Sequence, residues 1–426
     1  MKSILFPSEE AWPDLMLRPT LSTDFNDKLV KKVFDDVKAH GDDAIRRYTK
    51  EFDKIELEEF AVPASSFAGV QKQISKSLSN AIHVAKKNIE TFHASQVEAI
   101  HKIETMSGVC CWRESRPINT VGLYIPGGSA PLFSTILMLA IPAQIAGCKK
   151  IILCTPPDAD GGIDPVILFT ASLVGISEIY LVGGIQAIAG MTFGTKTIPR
   201  VDKIFGPGNQ YVTAAKTEAM KYVPIDMPAG PSEVLIIADA TALPSFVAAD
   251  LLAQAEHGAD SQVILLSTRP ALIDEVNVEI AKQMETLPRR EVIIKALENS
   301  RSILLKDLQT CIAYSNAYAP EHLILATERP EEMIEDIQNA GSVFLGHYSP
   351  ESAGDYASGT NHTLPTNGFA RSYSGVSVDS FVKKITFQHI TKTGIQNIGS
   401  SVELMAEAER LMAHKEAVSI RLKNLQ

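Results

Sequence analysis

The stretch TVGLYIPGG, residues 120–128, is a short apolar run that ends in a glycine-rich turn. Such runs, bounded by turn residues, are typical of strands buried inside a parallel sheet. Helical patterns at 132–146, 165–174 and 186–193 alternate with further runs of this kind. The alternation predicts a mostly parallel sheet covered by helices, with right-handed crossovers. The strands predicted for this first unit are TVGLYI (120–125), KIILCTP (150–156), EIYLVGG (178–184) and KIFG (203–206).

A second series of apolar runs predicts another α/β unit built on similar principles. Outside the two units the chain is predicted to be mainly helical. Amphipathic patterns cover 27–52 and 75–92, and helical periodicity returns after about Ser377. The strands predicted for the second unit are EVLIIAD (233–239), QVILLST (262–268), SILLK (302–306), HLILAT (322–327) and SVFLG (342–346).

Composition limits the classes of function. The chain has 426 residues, of which 45% are hydrophobic, and this is enough for at least two hydrophobic cores. The composition therefore predicts a folded protein rather than a disordered chain. A net charge of -10 argues against a broad surface for nucleic acid or anionic membrane, so a small-molecule substrate fits better. The five cysteines are odd in number and lack CxxC spacing, which indicates a reducing compartment rather than a disulfide framework or a cysteine-only zinc site.

The beginning of the chain lacks the pattern of a secretory signal. Its short apolar run is interrupted at Pro7 and then turns acidic, and no later segment offers ~18 uninterrupted apolar residues. We therefore expect a cytoplasmic protein.

The stretch APEHLIL, residues 319–325, places Glu321 beside His322 at the predicted entrance of a strand. A turn at Pro320 followed by a short strand would explain this pattern without any chemistry. Both side chains can also be tuned toward neutral pH, so the two residues could form an acid/base pair for proton transfer. Local sequence leaves both interpretations open.

Glycine-rich turns follow three strands of the first unit, at 125–131, 182–190 and 205–212. Each could bring backbone N–H groups close to a phosphate or a nucleotide at the start of a helix. Glycines at such turns are also common simply because they permit the turn, and no complete GxGxxG follows a strand here. A nucleotide site is one of two open interpretations.

Candidate metal ligands lie in the second half of the chain. Gln254 and His257 are three residues apart on one face of a predicted helix that ends near Gly258, although a histidine there can simply cap the helix. Asp355 and His362 fall in the Gly-, Ser- and Pro-rich segment 350–366, where function often concentrates. Imidazoles with a carboxylate suit Zn²⁺.

Two further candidates, Glu409 and His414, lie on the last predicted helix. The amphipathic pattern there is equally compatible with a solvated helix face that has no chemical role.

Several long motifs, in the same order and spacing, resemble the histidinol dehydrogenase family. The resemblance runs from about residue 20 to the end of the chain, and agreement among motifs is far more specific than any one dipeptide. The motifs are IDMPAGPSE (225–233), AQAEHG (253–258), YAPEHL (318–323), SAGDYASGTNHTLPT (352–366), ARSYSGVSVDSF (370–381) and AERLMAHKEAVSIR (408–421).

The resemblance implies a zinc-dependent oxidation of L-histidinol through L-histidinaldehyde to L-histidine, in which two NAD⁺ are used in turn. Glu321 and His322 match the catalytic pair of the family. His322 would take the hydroxyl proton as hydride leaves, and Glu321 would activate water on the aldehyde. Hydration is needed because the aldehyde carbon carries no hydroxyl group. Addition of water gives the gem-diol, which can be oxidised as an alcohol.

The resemblance also assigns binding residues and leaves the cysteines without a catalytic role. The implied zinc ligands are Gln254, His257, Asp355 and His414. The implied substrate-binding residues are Ser232, Gln254, His257, Glu321, His322, Asp355, His362, Glu409 and His414. The implied NAD-binding residues are Tyr124, Gln186 and Asn209, one at each glycine-rich turn, with Tyr124 directly before the first.

For the fold, the resemblance implies an α/β class with two incomplete Rossmann-like α/β domains plus small N-terminal and C-terminal helical segments. It further implies a homodimer whose active sites are composed from both subunits. Two rival interpretations are a zinc-dependent hydrolase and a catalytically silent metabolite-binding protein on the same fold. The predicted domains are an N-terminal arm (1–19), a discontinuous first Rossmann-like domain (20–123 plus 235–376), a second one (124–234) and a C-terminal helical domain (377–426).

Overall fold

The protein is described by a computed structural model that covers residues 1–19, 23–127 and 131–425, with backbone only for 23–26. Its strands are β1 (Lys2–Leu5), β2 (Lys102–Met106), β3 (Val109–Pro117), β4 (Thr120–Tyr124), β5 (Lys150–Thr155), β6 (Glu178–Leu181), β7 (Lys203–Phe205), β8 (Glu233–Ala238), β9 (Gln262–Ser267), β10 (Arg301–Leu304), β11 (His322–Ala326), β12 (Ser342–Leu345) and β13 (Val382–Ile390).

The α-helices are α1 (Trp12–Leu15), α2 (Thr23–His40), α3 (Asp42–Tyr48), α4 (Lys76–Ala94), α5 (Phe133–Ala146), α6 (Pro165–Leu173), α7 (Gly184–Phe193), α8 (Gln210–Ala219), α9 (Pro244–Ala255), α10 (Pro270–Met284), α11 (Arg290–Glu298), α12 (Leu308–Tyr318), α13 (Glu351–Tyr356), α14 (Lys392–Ala408) and α15 (Met412–Lys423). A π-helical turn spans Thr49–Asp53. Short 3-10 turns span Glu9–Ala11, Ala64–Phe67, Val70–Gln73, Pro330–Asp336, Phe369–Arg371 and Val378–Phe381.

The larger sheet has the strand order β1-β10-β9-β8-β11-β12, and each neighbouring pair is parallel. Its central strands are buried on both faces, which explains their continuous apolar sequences. The start of β11 lies beside the start of β8, with His322 paired to Val234. Segments far apart in sequence therefore meet at the amino edge of this sheet.

The two faces of the larger sheet carry different helices. Val234 and Ile236 pack with α9 and α10, whereas Leu235 and Ile237 pack with α12 and with Trp12 of the N-terminal arm. Successive strand residues point to opposite faces, so the even-numbered positions of β8 face α9. The end of α9 is thereby held over the amino edge of the sheet.

The smaller sheet has the order β6-β5-β4-β7, also all parallel. Together the two sheets confirm the predicted α/β fold class, and every strand predicted for the two units is present. Helix α2 packs against α7 and α8, and α4 packs against α5. The domain boundaries stay a prediction. The boundary between residues 123 and 124 would divide β4, and the boundary between residues 234 and 235 would divide β8.

A third, antiparallel sheet in the order β13-β3-β2 was not predicted. The expectations of mainly helical structure before residue 120 and after Ser377 are wrong at 102–106, 109–117 and 382–390. These strands are largely exposed and rich in charged residues, so they lack the apolar runs that mark buried strands. They are stabilised by pairing with each other across the chain, and Trp112 stacks on Phe387 with 5.4 Å between ring centroids.

The N-terminal arm is also part of the larger sheet, because β1 pairs with β10 at its edge. Among the described helices, none is long and apolar enough to cross a membrane. The five cysteines are all free thiols.

Candidate active site

Four segments meet at the amino edge of the larger sheet: the residues that enter β8, the residues that enter β11, the end of α9 and the short helix α13. The strands fix the first two segments side by side. Helix α9 runs back across the sheet toward this edge, because a helix that follows a parallel strand returns to the strand starts. The binding crevice of open α/β sheets usually lies at the opposite, carboxyl edge.

Glu321 and His322 are buried, with 6% and 3% of their surface exposed. The Glu321 Oε2 accepts a hydrogen bond of 2.8 Å from the N–H of Glu233. The His322 Nδ1 lies 3.1 Å from the Glu233 carbonyl oxygen. A carbonyl only accepts, so Nδ1 carries the proton and Nε2 is left as the basic nitrogen. The two neighbouring residues of the PEH motif are thus both held by the main chain of Glu233.

The basic nitrogen of His322 faces acidic groups. Its Nε2 lies 3.7 Å from the Asp355 Oδ1 and has no hydrogen-bond partner in the described part of the chain. Burial alone would lower the pKa of His322, but the carboxyl groups of Glu351, Glu321 and Asp355 raise it well above its ordinary value. Burial raises the pKa of Glu321 to about 8. The site is therefore a buried group of acids with one imidazole among them.

Three potential ligands converge beside this pair. One donor atom from each of His257, Glu351 and Asp355 lies within 4.8 Å of the others. One oxygen of Glu351, Oε2, is buried without a hydrogen-bond partner among the residues described. Burying several carboxyl groups together is costly unless a cation or protons neutralise them. An imidazole with carboxylates and an unpartnered oxygen fits a divalent cation such as Zn²⁺.

Gln254 is completely buried at the same place. Its Nε2 lies 3.4 Å from Glu321 Oε2. Turned by 180°, the same amide donates to Glu351 and accepts from the Glu233 N–H at 2.9 Å. The amide therefore contacts both the Glu321–His322 pair and the ligand cluster, and it can present its oxygen or its nitrogen to the cluster.

His362 reaches the cluster from the loop after α13. Its Nδ1 is 2.9 Å from the Asp355 carbonyl oxygen and its Nε2 is 3.1 Å from Oγ1 of Thr135. Thr135 lies on α5, which belongs to the smaller sheet's unit. The site thus lies where the two α/β units meet.

Ser232 immediately precedes β8, and its carbonyl oxygen accepts from Gln262 N–H.

The structure separates Glu409 and His414 from this cluster. Both side chains are exposed. Helix α15, which carries His414, packs against α14. The group of metal-binding candidates found among the described residues consists of His257, Glu351 and Asp355, without His414.

Sequence reasoning missed Glu351 and Glu233. Glu351 precedes Asp355 by four residues, a spacing that places both carboxyl groups on one face of α13, so a signal for it was present. Glu233 offers no comparable signal, because its contribution comes through its main chain and through an ion pair with a residue far along the chain.

The predicted NAD-binding residues lie at the carboxyl end of the smaller sheet. Tyr124 and Gln186 are buried: the Tyr124 hydroxyl accepts from the Gly184 N–H at 3.0 Å, and Gln186 Nε2 donates to Asp53 at 3.2 Å. The Gln186 Oε1 has no partner within the described structure. Asn209 caps α8 by accepting from two backbone N–H groups. Their contacts with NAD stay predictions, and residues 128–130 of the turn at 125–131 lie outside the described residues.

Asp250, one turn before Gln254 on α9, permits a prediction about stability. Burial raises its pKa to about 7. A carboxyl group whose pKa is raised on folding binds its proton more tightly in the folded state, so its cost to folding grows from about pH 4 to about pH 7. We expect Asp250→Asn to stabilise the metal-free protein by about 2–4 kcal/mol at pH 8 and by much less at pH 5.

Urea unfolding of wild type and variant at the two pH values measures this difference. The matched control is Asp274→Asn on α10, where the aspartate is exposed. The control is expected to lack the large stabilisation at pH 8, because its side chain is not buried. A pH-independent effect of Asp250→Asn would show that its carboxyl group titrates normally.

The fold and the cluster define the class: an α/β protein with a buried glutamate–histidine pair beside side chains that suit a divalent cation. The sequence profile for histidinol dehydrogenase matches residues 16–422. The chain belongs to the histidinol dehydrogenase family, which confirms the resemblance seen in its motifs.

Individual relatives agree with this assignment. The chain is 56% identical over 427 residues to histidinol dehydrogenase from Bacteroides thetaiotaomicron, with 100% of each chain covered. It is 50% identical to that from Escherichia coli O157:H7, covering 97% of this chain and 95% of the relative. The crystal structure of histidinol dehydrogenase from Elizabethkingia anophelis superposes with a TM-score of 0.98 at 59% identity, covering 100% of this chain and 98% of that one.

Proposed function

We propose that this protein is a zinc-dependent dehydrogenase that oxidises L-histidinol through L-histidinaldehyde to L-histidine and reduces two NAD⁺, the last steps of histidine biosynthesis. Family membership supports the oxidoreductase activity and the pathway. The observation that carries the mechanism is the fixed geometry of the buried pair. The basic Nε2 of His322 faces Asp355, while Glu321 lies beside it against Gln254.

Zinc would be held by Gln254, His257 and Asp355 of one chain, with His414 from a second chain. The ion has no redox chemistry and would anchor and orient the substrate, and help to polarise it. The structure supports the first three ligands because they converge at one place. Glu351 lies within the same cluster and is a candidate to contact the ion or its ligands.

His322 acts as the base in both oxidations. Its Nδ1–H is fixed by the Glu233 carbonyl, which aims Nε2 into the cluster. Nε2 accepts the hydroxyl proton of histidinol as the carbon-bound hydrogen leaves as hydride for NAD⁺. The products of this step are the aldehyde, NADH and protonated His322.

Glu321 acts between the two oxidations. Its carboxylate takes a proton from water, and the resulting hydroxide adds to the aldehyde carbon. Protonated His322 returns its proton to the former carbonyl oxygen, which gives the gem-diol and leaves His322 neutral for the second oxidation. The diol is again an alcohol, so transfer of its hydroxyl proton to His322 and of its hydride to a second NAD⁺ yields the carboxylic acid. A divalent cation held by the cluster would lower the raised pKa of both Glu321 and His322, so that both side chains can accept a proton.

The proposal includes a homodimer whose active sites combine two chains. His414 is exposed and lies outside the cluster of its own chain. The hairpin of α14 and α15 also presents Leu404, Met405 and Ile420 with 68, 66 and 61% of their surface exposed. Apolar side chains exposed together favour a protein interface. A second subunit that covers this hairpin would bring a His414 to each site.

NAD contacts from Tyr124, Gln186 and Asn209, and substrate contacts from Ser232, His362 and Glu409, belong to the same proposal. The unpartnered oxygen of Gln186 and the position of the three turns at a carboxyl sheet edge support the NAD contacts. His362 supports the substrate contacts, because it joins the cluster to the unit that carries the turns. A cytoplasmic location is proposed on the basis of the biosynthetic role.

One assay tests the function against its rivals. Purified enzyme is incubated with L-histidinol and NAD⁺, and NADH and histidine are both measured, with and without a metal chelator. We expect two NADH for each histidine and loss of both products with chelator. A zinc hydrolase would turn over a substrate without nicotinamide, and a silent binding protein would form neither product.

Removal of the metal is expected to abolish turnover and leave the fold largely intact. The three ligands proposed from one chain lie on or next to α9 and α13, which are held by the large core rather than by a metal-nucleated domain. Circular dichroism and thermal unfolding of apo and zinc-loaded protein would measure the fold, and added zinc should restore turnover. Full activity after verified removal of the metal would contradict the anchoring role of zinc.

A further inference from the structure

The main chain of Glu233 contacts both members of the catalytic pair. Its N–H donates to Glu321 Oε2 at 2.8 Å, and its carbonyl oxygen accepts from His322 Nδ1 at 3.1 Å. A shift of Glu233 would therefore change the directions in which the side chains of Glu321 and His322 point. What holds Glu233 in place thus bears on catalysis.

The Glu233 side chain points away from the pair and is almost fully buried. It forms a two-point ion pair with Arg18, whose Nε and Nη2 lie 2.5 and 2.9 Å from its two carboxylate oxygens. The N–H of Asn367 donates to the same carboxylate at 2.8 Å. A guanidinium that binds a carboxylate through two parallel hydrogen bonds fixes direction as well as distance.

Arg18 also holds the segment that leads to the pair. Its Nη2 donates to the Tyr318 carbonyl oxygen at 2.9 Å, and its guanidinium lies 3.9 Å from the centre of the Tyr318 ring. Tyr318 ends α12, three residues before Glu321. One side chain from the N-terminal arm therefore connects the entrance of β8 with the entrance of β11.

We propose that Arg18 is a positioning residue for the Glu321–His322 pair. Its two-sided contact fixes the entrance of β8 against that of β11, and thereby fixes the directions of Glu321 and His322 Nε2. This gives the N-terminal arm a function in catalysis without any contact with substrate. The inference rests on the proposed function, in which this pair is catalytic.

The main test is Arg18→Met, which keeps a long side chain but removes the guanidinium. Misplacement of a catalytic group by about 1 Å can cost about 100-fold in rate. We expect kcat for histidinol oxidation to fall about 10- to 100-fold, with KM for histidinol and NAD⁺ and the zinc content within about 3-fold of wild type. Arg18→Lys keeps a charge but not the two-point geometry, so it should recover part of the loss.

Arg269→Met is the matched control. Arg269 forms an ion pair of 2.7 Å with Glu275, but both side chains are partly exposed. Arg269 follows the carboxyl end of β9, at the edge of the larger sheet opposite to the site. This variant is expected to retain wild-type kcat. Glu233→Gln is the milder second variant, because it keeps the shape and an acceptor oxygen while it weakens the pairing with Arg18. Glu233→Gln tests the positioning role of Arg18 if Arg18→Met does not fold.

Hydrogen exchange gives a readout that does not depend on activity. In Arg18→Met, peptides covering 230–236 and 319–325 should exchange faster, whereas peptides of the smaller sheet should be unchanged. If wild type itself fails to oxidise histidinol, the proposed function is wrong, and the exchange result still reports whether Arg18 holds the pair. Unchanged kcat and unchanged exchange in folded Arg18→Met or Glu233→Gln would overturn the inference, and so would a general loss of zinc and of substrate binding.

Discussion

Glu321→Gln is expected to slow the oxidation of supplied L-histidinaldehyde by about 100- to 10,000-fold, and the first hydride transfer from L-histidinol far less. Gln keeps the shape of the side chain and an oxygen that can accept from the Glu233 N–H, as Glu321 Oε2 does at 2.8 Å. It cannot take a proton from water. The loss should therefore appear at the hydration step and leave the arrangement of the site in place.

Single-turnover measurements separate the two oxidations, because each produces one NADH. His322→Asn should slow both, since both require a proton to leave an alcohol. Glu328→Gln, an exposed glutamate just beyond the far end of β11, is the matched control and should leave both steps unchanged. Equal losses in the two steps of Glu321→Gln would mean that Glu321 does not have the separate task of activating water.

A mixture of two inactive variants, His257→Ala and His414→Ala, is expected to recover about a quarter of wild-type activity after they are unfolded and refolded together in equal amounts. His257 lies in the cluster at the end of α9, whereas His414 is exposed on α15 and outside that cluster. If each site takes His414 from the second subunit, a mixed dimer has one site with both lesions and one site with neither. Random pairing makes about half of the dimers mixed.

The matched control is a mixture of His257→Ala with Asp355→Ala. These two residues converge in the same chain, so every site of a mixed dimer keeps one lesion and no activity should return. One variant of each mixture would be labelled with ¹⁵N, so that native mass spectrometry can distinguish mixed dimers by their mass in both experiments. Mixed dimers of His257→Ala and His414→Ala without activity would show that His414 serves its own chain.

The sequence was sufficient where a segment is buried on both faces. The runs at 233–238 and 262–267 are continuous and apolar because helices cover both sides of the larger sheet, and their strand character could be predicted from composition alone. The pair at 321–322 could be located only through the family motifs, since its local pattern fits a simple strand entrance equally well. Glu351 had a usable signal in its spacing to Asp355, and that signal was missed.

Tertiary structure decided the features that depend on contacts between distant segments. Strand β13 pairs with β3 across more than 260 residues, and its exposed, charged sequence carries little mark of a strand. The ion pair of Arg18 with Glu233 joins residues 215 positions apart, and its effect on Glu321 and His322 passes through the main chain of Glu233. Burial affects every residue of a segment, so it produces a recognisable pattern in the sequence. A hydrogen bond between two distant residues produces no such pattern, so only the tertiary structure shows which groups meet.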